Sequence, residues 1–367
     1  MRARLVVAVV AGVLLSGCTD EDPGETSSAA PSPQAAASSP ATEPPGAAAE
    51  PSGEATSAEP TAPAAEPPAP PVSVLGLDQQ THRGDRLRLG AVREDTAAYT
   101  SYDVTYRSRS TTPAGRTESY TISGVLNVPT GRGPFPAVVL AHGYIDPAVY
   151  ERGQGMTRER GYLASRGYVA LHVDDRNHAE SDDDPRYQRR MRLGYSADVI
   201  NAVKALQAAP DVPVADDRIA LFGRSMGGGV VLKALVAEPG LVRAAAPWAS
   251  VSSLEGENYD QFQRDDPADR SRPDDPARVH GLPEDNPEFW LANSSRPHFD
   301  RITEPVLMVH GRADDTCPPR WATATRQALV RAGVDAQLEW YDDGHAFGPA
   351  FTAAMDRTIR FFEQQMG

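Results

Sequence analysis

The segment Gly223-Arg224-Ser225-Met226-Gly227 limits the folds open to this chain more than any other part of its sequence. It follows a short apolar run at 218–222 and leads into a helix-forming run, so it predicts a sharp turn from a strand into a helix. Glycine two positions before and two after Ser225 fits such a turn, because side chains there would collide with neighbouring backbone. The turn leaves the hydroxyl group of Ser225 exposed and able to react.

Two candidate partners for Ser225 come later in the chain, each after an apolar run of strand length. Asp314 follows the run at 305–310, and His345 follows the run at 336–341. Because α/β sheets collect reacting groups at the carboxyl ends of their strands, the three side chains are expected at one edge of the sheet. Their order, Ser then Asp then His, matches α/β-hydrolases and neither of the other two common serine-hydrolase orders. We therefore predict a catalytic triad of Ser225, Asp314 and His345.

In this triad His345 takes the proton of the Ser225 hydroxyl as it attacks a carbonyl carbon, and Asp314 orients the imidazole. Three nearby carboxylates compete with Asp314 for its position: Asp315, Asp342 and Asp343. The spacing after His310-Gly311 favours Asp314. The alternative role for the other three is that of a solvated or turn-capping carboxylate.

Two backbone N–H groups are candidate donors to the oxyanion of a tetrahedral intermediate. One belongs to Met226 at the start of the predicted helix, and the other to Tyr144, which follows a predicted strand at 136–141. The ring of Tyr144 either lies against the substrate or only packs its loop. Trp248, at the end of another predicted strand, is either a second wall of the substrate pocket or a core residue.

Six short segments match the motifs of one protein family: Ala141-His142-Gly143-Tyr144, Ala164-Ser165-Arg166-Gly167-Tyr168-Val169, Asp175-Arg176-Asn177-His178-Ala179-Glu180-Ser181, Gly223-Arg224-Ser225-Met226-Gly227-Gly228, His310-Gly311-Arg312-Ala313-Asp314 and Gly344-His345-Ala346-Phe347. On these segments, the chain from about residue 102 onward resembles the catalytic domain of prolyl-oligopeptidase-like (S9) serine hydrolases, which grade into dienelactone-hydrolase-like esterases. The resemblance implies an α/β-hydrolase fold and a serine hydrolase that forms an acyl-enzyme.

The sequence departs from that family pattern at two points. Large S9 peptidases carry an N-terminal β-propeller that selects peptides by size, and no segment of this sequence is expected to form one. The residues Arg176-Asn177-His178-Ala179 replace the family's usual Arg-Gly-x-Gly pattern, so a different turn is expected there. Both ester and peptide substrates therefore stay open.

Short apolar runs of strand length alternate with helix-forming segments along the chain, and this order predicts the same fold without reference to the family. Strands are predicted at 102–107, 119–127, 136–141, 168–174, 218–223, 244–248, 305–310 and 336–341. Helices are predicted at 155–166, 193–208, 226–237, 319–332 and 350–365. This order predicts a mostly parallel eight-stranded sheet with helices on both faces and two antiparallel strands at its start.

Residues 252–300 interrupt this alternation before the seventh predicted strand. The segment is rich in Asp, Glu, Pro and Arg and is too long for an ordinary connection. Its aromatic residues favour a lid beside the active site over an acidic, fully solvated loop, because solvated loops seldom carry side chains such as Phe262, Phe289 and Trp290.

The first residues predict export. Arg2 and Arg4 precede an apolar run at 5–15 that is too short to span a bilayer, so residues 1–17 are interpreted as a signal peptide. Leu15-Ser16-Gly17-Cys18 matches the bacterial lipobox, which predicts an extracytoplasmic lipoprotein anchored to the cell membrane through a lipidated Cys18. The alternative is an ordinary secretory signal with a chance cysteine.

Residues 18–72 are dominated by Ala, Pro, Ser, Thr and Glu and carry almost no large apolar side chains. A segment of this composition is expected to form a disordered tether rather than a packed domain. The remaining residues, 73–367, have the length of one catalytic domain.

Composition also limits the partners and cofactors. The net charge of −14 argues against nucleic acid as a partner. No phosphate-binding loop or dinucleotide fingerprint is present, so no cofactor is expected, and the histidines do not favour a metal site. With Cys18 assigned to lipid, Cys317 is the remaining cysteine and is interpreted as a packing residue. No protein partner can be inferred.

Three hypotheses for function follow. The first is a lipid-anchored serine hydrolase that cleaves small ester or peptide-type acyl bonds. The second is a strict serine peptidase that acts on short peptides. The third, from another class, is a surface binding protein that has kept the fold and lost catalysis.

Overall fold

The computed structural model describes residues 70–367 of the chain. Within that range the backbone forms nine strands: β1 (Thr81–Asp95), β2 (Tyr99–Thr111), β3 (Thr117–Pro129), β4 (Phe135–Ala141), β5 (Val169–Val173), β6 (Val214–Arg224), β7 (Ala244–Trp248), β8 (Val306–Gly311) and β9 (Ala336–Tyr341). The helices described are α1 (Val74–Asp78), α2 (Thr157–Ala164), α3 (Leu193–Gln207), α4 (Met226–Ala237), α5 (Glu255–Phe262), α6 (Pro267–Arg270), α7 (Pro276–His280), α8 (Pro287–Ala292), α9 (Pro319–Arg331) and α10 (Phe351–Met366), with a 3-10 helix at Arg296–Arg301.

All nine described strands belong to one sheet, in the order β1-β2-β3-β5-β4-β6-β7-β8-β9. The pairs β1–β2, β2–β3 and β3–β5 are antiparallel, and every other neighbouring pair is parallel. The predicted fold class, a mostly parallel α/β sheet that begins with antiparallel strands, is therefore confirmed.

The predicted number of strands is wrong by one, because the sequence analysis missed β1. This strand pairs with β2 at the edge of the sheet, and most of its residues are exposed. It is rich in arginine and acidic residues, and its register with β2 shifts three times, so it shows neither an apolar run nor a regular alternation. The long insertion therefore precedes the eighth strand, β8.

The parallel strands separate two apolar clusters, one on each face of the sheet. Along β4, the side chains of Ala137, Val139 and Ala141 join the cluster that contains α3 and α4, whereas Val138 and Leu140 join the cluster beneath α2 and α10. Strands that are buried on both faces carry apolar side chains at successive positions, so these strands could be predicted well from the sequence.

The part of the chain that the structure describes contains no helix long and apolar enough to cross a bilayer. The predicted signal peptide, Cys18 and nearly all of the predicted tether lie outside the described residues.

Candidate active site

Ser225 occupies a strained turn between β6 and α4. Its backbone angles are φ 57° and ψ −120°, a conformation that non-glycine residues rarely adopt. A Cβ on Gly223 would lie 2.2 Å from the carbonyl oxygen of Gly227, and a Cβ on Gly227 would lie 2.0 Å from that of Ala141. Both glycines are therefore required for the close approach of three backbone segments. The resulting turn places Ser225 at the carboxyl end of β6.

Asp314 and His345 are in direct contact at the same edge of the sheet. Asp314 follows β8, His345 follows β9, and Nδ1 of His345 lies 2.9 Å from Oδ2 and 3.1 Å from Oδ1 of Asp314. Burial raises the pKa of Asp314, but hydrogen bonds from His345 and from the N–H of Cys317 outweigh burial and leave this pKa below its ordinary value. Asp314 is thus a carboxylate at neutral pH, buried and aimed at the imidazole.

The three competing carboxylates have other partners among the described contacts. Asp315 accepts a hydrogen bond from the hydroxyl of Thr316, and Asp342 is an exposed residue paired with Arg312. Asp343 accepts the backbone N–H groups of Gly344 and Ala350, which caps the turn before α10. Of the four candidates, Asp314 is the one that contacts His345.

Ser225 and His345 line the same pocket, but no hydrogen bond joins them among the contacts described for residues 70–367. The hydroxyl oxygen of Ser225 instead lies 4.0 Å from Sγ of Cys317. Burial, followed by the nearby charge of Asp314, raises the pKa of the Cys317 thiol to about 12. The thiol is therefore protonated at neutral pH and is not the activated nucleophile of this pocket.

The backbone N–H groups of Met226 and Tyr144 both lie beside this turn. Met226 is the first residue of α4, where an N–H has no partner within the helix. Tyr144 follows Gly143, whose added Cβ would lie 3.3 Å from Cβ of Ser225. Neither N–H donates to any acceptor among the described hydrogen bonds, so both are free to bind a ligand oxygen.

The pocket around Ser225 has a volume of about 710 Å³, within the range of small-molecule sites. Tyr144 lines it with half of its side chain exposed, and Phe262 and Asn258 from the insertion line it from another side. Segment 252–300 thus forms part of the pocket wall and is not a fully solvated loop. Within residues 70–367, no group of three or more His, Cys, Asp or Glu side chains is arranged to hold a metal ion.

The prediction that Trp248 forms a pocket wall is wrong, and its alternative as a core residue is correct. Trp248 is completely buried and does not line the pocket. Its ring packs against Phe222 and Phe347, and its indole N–H donates to the hydroxyl of Thr358 in α10 at 3.1 Å. Its side chain therefore points into the core beneath α10.

Charged residues in the pocket were missed by the sequence analysis. They include Arg192, which precedes α3, and an ion pair of 2.8 Å between Lys233 in α4 and Glu255 in α5. No sequence signal marks them, because isolated charges in loops and at helix surfaces are common and their direction depends on the tertiary fold.

Comparison with known proteins connects this site to one family. Residues 155–367 match the model of the prolyl oligopeptidase family, and this match covers more than half of the chain and includes Ser225, Asp314 and His345. The chain belongs to the prolyl oligopeptidase family. This family is one of serine hydrolases, and the chain has the α/β-hydrolase fold.

Curated relatives match this chain over only part of their own length. The chain is 29% identical to dipeptidyl peptidase 4 of Felis catus over 55% of this chain and 26% of that protein. It is 32% identical to prolyl endopeptidase FAP of Homo sapiens over 50% of this chain and 23% of that protein. The chain therefore spans about a quarter of the length of these curated relatives.

Two solved structures have a similar fold. Acetyl xylan esterase from Paenibacillus sp. R4 superposes with a TM-score of 0.57 at 22% identity, covering 80% of this chain and 92% of that one. Acylaminoacyl peptidase from Pyrococcus horikoshii superposes with a TM-score of 0.54 at 16% identity, covering 76% of this chain and 56% of that one. At these identities the similarity shows a shared fold alone and does not extend to a substrate.

Proposed function

We propose that this prolyl oligopeptidase family domain cleaves small ester or peptide-type acyl bonds with a catalytic triad of Ser225, Asp314 and His345. The observation that carries this proposal is the 2.9 Å contact between Nδ1 of His345 and the buried carboxylate of Asp314, in the pocket that also contains Ser225. A hydrogen bond at Nδ1 fixes the imidazole tautomer whose Nε2 is unprotonated and able to accept a proton.

The reaction begins with a rotation of the Ser225 hydroxyl away from Cys317 and toward Nε2 of His345. His345 accepts the hydroxyl proton while the oxygen attacks the carbonyl carbon, and the charge of Asp314 stabilises the imidazolium that forms. The N–H groups of Met226 and Tyr144 donate to the oxyanion. His345 then protonates the leaving group, and water releases the acyl group from Ser225 by the same steps.

The size of the pocket supports small substrates. A volume of about 710 Å³, closed on one side by the insertion, suits a short acyl chain or a few residues of peptide. A strict peptidase that acts on short peptides is the second candidate, and the curated relatives named dipeptidyl peptidase 4 and prolyl endopeptidase FAP favour it.

Substrate class can be tested by comparing kcat/KM of the full-length protein on two panels. One panel contains p-nitrophenyl acetate, butyrate and octanoate, and the other contains aminoacyl and dipeptidyl p-nitroanilides. We expect ester turnover, and the anilides decide between the two candidates. Anilide cleavage within about a hundredfold of the best ester supports the peptidase, and negligible anilide cleavage supports an esterase.

A fluorophosphonate probe separates both candidates from the third hypothesis, a binding protein without catalysis. The probe reacts with an activated serine, so we expect it to label Ser225 in the folded protein and to leave the denatured protein unlabelled. Folded protein that resists the probe and turns over neither panel would instead support the binding protein.

We further propose that the enzyme is exported and held at the bacterial membrane by lipid on Cys18, with residues 18–72 as a tether and 73–367 as the catalytic domain. The lipobox Leu15-Ser16-Gly17-Cys18 supports this proposal. Cys18→Ala is expected to move the protein from the membrane fraction to the soluble fraction without changing turnover. Cys317→Ala is the matched control, since it removes the other cysteine and should leave the protein in the membrane fraction. Retention of the Cys18→Ala protein in membranes would exclude this anchor.

A further inference from the structure

The backbone just before α3 is strained at two consecutive residues. Met191 and Arg192 have φ angles of 54° and 52°, in the left-handed region that is unfavourable for residues other than glycine. Arg192 is also the N-cap of α3, where a positive charge is disfavoured by the helix dipole and where its side chain caps no N–H group. Neither feature stabilises the fold, and strain of this kind concentrates at functional sites.

The strained backbone carries the side chain of Arg192 into the pocket of Ser225. Nε donates to Oε1 of Gln188 at 2.9 Å, and Nη1 lies 3.8 Å from Sδ of Met226. The guanidinium group also lies over the ring of Tyr144, 4.9 Å from its centroid. Arg192 is therefore held between the two residues whose N–H groups are the proposed oxyanion donors.

Arg192 differs in its pairing from the other cations that line the pocket. Those three each have a carboxylate partner, in the pairs Arg224–Glu159 at 3.3 Å, Lys233–Glu255 at 2.8 Å and Arg272–Asp269 at 3.3 Å. Within the described part of the chain, no carboxylate forms an ion pair with Arg192. Its Nη2 group also has no acceptor among the described hydrogen bonds.

The remaining carboxylates of the pocket are engaged elsewhere. Asp266 caps the first turn of α6 by accepting the N–H of Ala268, and Asp146 accepts the N–H of Ala148. The pocket of Ser225 thus contains one guanidinium without a carboxylate partner, held against the side chain of Met226, the residue that follows the serine. A planar guanidinium is the side chain best suited to bind a carboxylate through two parallel hydrogen bonds.

We propose that Arg192 binds a carboxylate group of the substrate, so that the pocket selects anionic esters or amides over neutral ones of the same size. This inference rests on the proposed function of Ser225, since it concerns the specificity of the same site. The geometry leaves two directions for the carboxylate, on the acyl group or on the leaving group, and both share the same chemistry.

The test compares kcat/KM of the full-length protein on matched pairs of anionic and neutral esters. The acyl-side pairs are mono-p-nitrophenyl adipate, pimelate and suberate against p-nitrophenyl hexanoate, heptanoate and octanoate. The leaving-group pair is 3-acetoxy-4-nitrobenzoic acid against 2-nitrophenyl acetate. We expect the wild type to favour the anionic member of at least one pair. Arg192→Gln should lower kcat/KM for that member by about 10- to 100-fold and for its neutral counterpart by less than about threefold.

Arg192→Lys keeps the positive charge but cannot make two parallel hydrogen bonds, so it should lower kcat/KM for the anionic ester by an intermediate amount. Arg312→Gln removes an equal charge from an exposed residue outside the pocket, so it should change neither rate. Thermal unfolding of each variant checks that the fold is retained. Gln188→Met, which removes the acceptor of Nε and leaves the backbone unchanged, provides a second variant in case Arg192→Gln does not fold.

The proposal for Arg192 would be overturned if Arg192→Gln lowered kcat/KM equally for the anionic and neutral esters. It would also be overturned if the wild type favoured the anionic ester in none of the pairs. Hydrolysis of neutral esters that persists in Ser225→Ala would instead overturn the proposed function of Ser225. The two failures therefore give different results in the same assay.

Discussion

Ser225→Ala and His345→Ala are each expected to lower kcat on the best ester by about 10⁴- to 10⁶-fold. Alanine at 225 removes the oxygen that would form the acyl-enzyme, whereas alanine at 345 leaves that oxygen protonated and a poor nucleophile. Burst and steady-state kinetics on p-nitrophenyl esters measure both losses. Ser165→Ala is a suitable control, because Ser165 is exposed on the surface and its hydroxyl contacts only the carbonyl of Tyr162 and the exposed side chain of Arg166 among the described hydrogen bonds.

The double variant distinguishes a triad from two independent contributions. When serine and histidine act in one proton transfer, loss of either residue already removes the rate enhancement that depends on both. The double variant should therefore be about as slow as either single variant. Losses that multiply would contradict a shared step. In that case His345 would act on the substrate or on water without Ser225.

The sequence located the parallel strands well because their burial on both faces leaves a continuous apolar run in the chain. It also located α4, whose observed limits, Met226–Ala237, equal the predicted range of 226–237. The strand β1 was missed because backbone pairing with β2 holds it at an exposed edge, where its side chains carry no apolar pattern. Local sequence therefore predicts buried strands and helices better than it predicts exposed strands at the edge of a sheet.

The candidate site shows the same division between local and tertiary information. Ser225, Asp314 and His345 could be chosen because each follows a strand, and parallel strands bring such positions together. Trp248 also ends a strand, but its direction depends on packing against Phe222 and on α10, a contact 110 residues away. Arg192 could not be predicted, since its entry into the pocket depends on two left-handed residues that no local pattern encodes.

Asp314→Asn is expected to lower kcat by about 10⁴-fold without unfolding the protein. Oδ1 of Asp314 accepts the backbone N–H groups of Thr316 and Cys317, so the oxygen of an asparagine amide will stay at that position. The amide NH₂ group then faces Nδ1 of His345, where Oδ2 is found now. A donor at that position forces the proton of the imidazole onto Nε2, so His345 can no longer accept the proton of the Ser225 hydroxyl.

Asp315→Asn is the matched control, one residue away and identical in its chemical change. Asp315 is exposed and accepts only the hydroxyl of Thr316 among the described hydrogen bonds, so its loss should change kcat by less than about threefold. Thermal unfolding of both variants separates a catalytic loss from a loss of stability. A severe effect of Asp315→Asn with a mild effect of Asp314→Asn would transfer the role of the acid to Asp315, and would require the turn after β8 to rearrange when substrate binds.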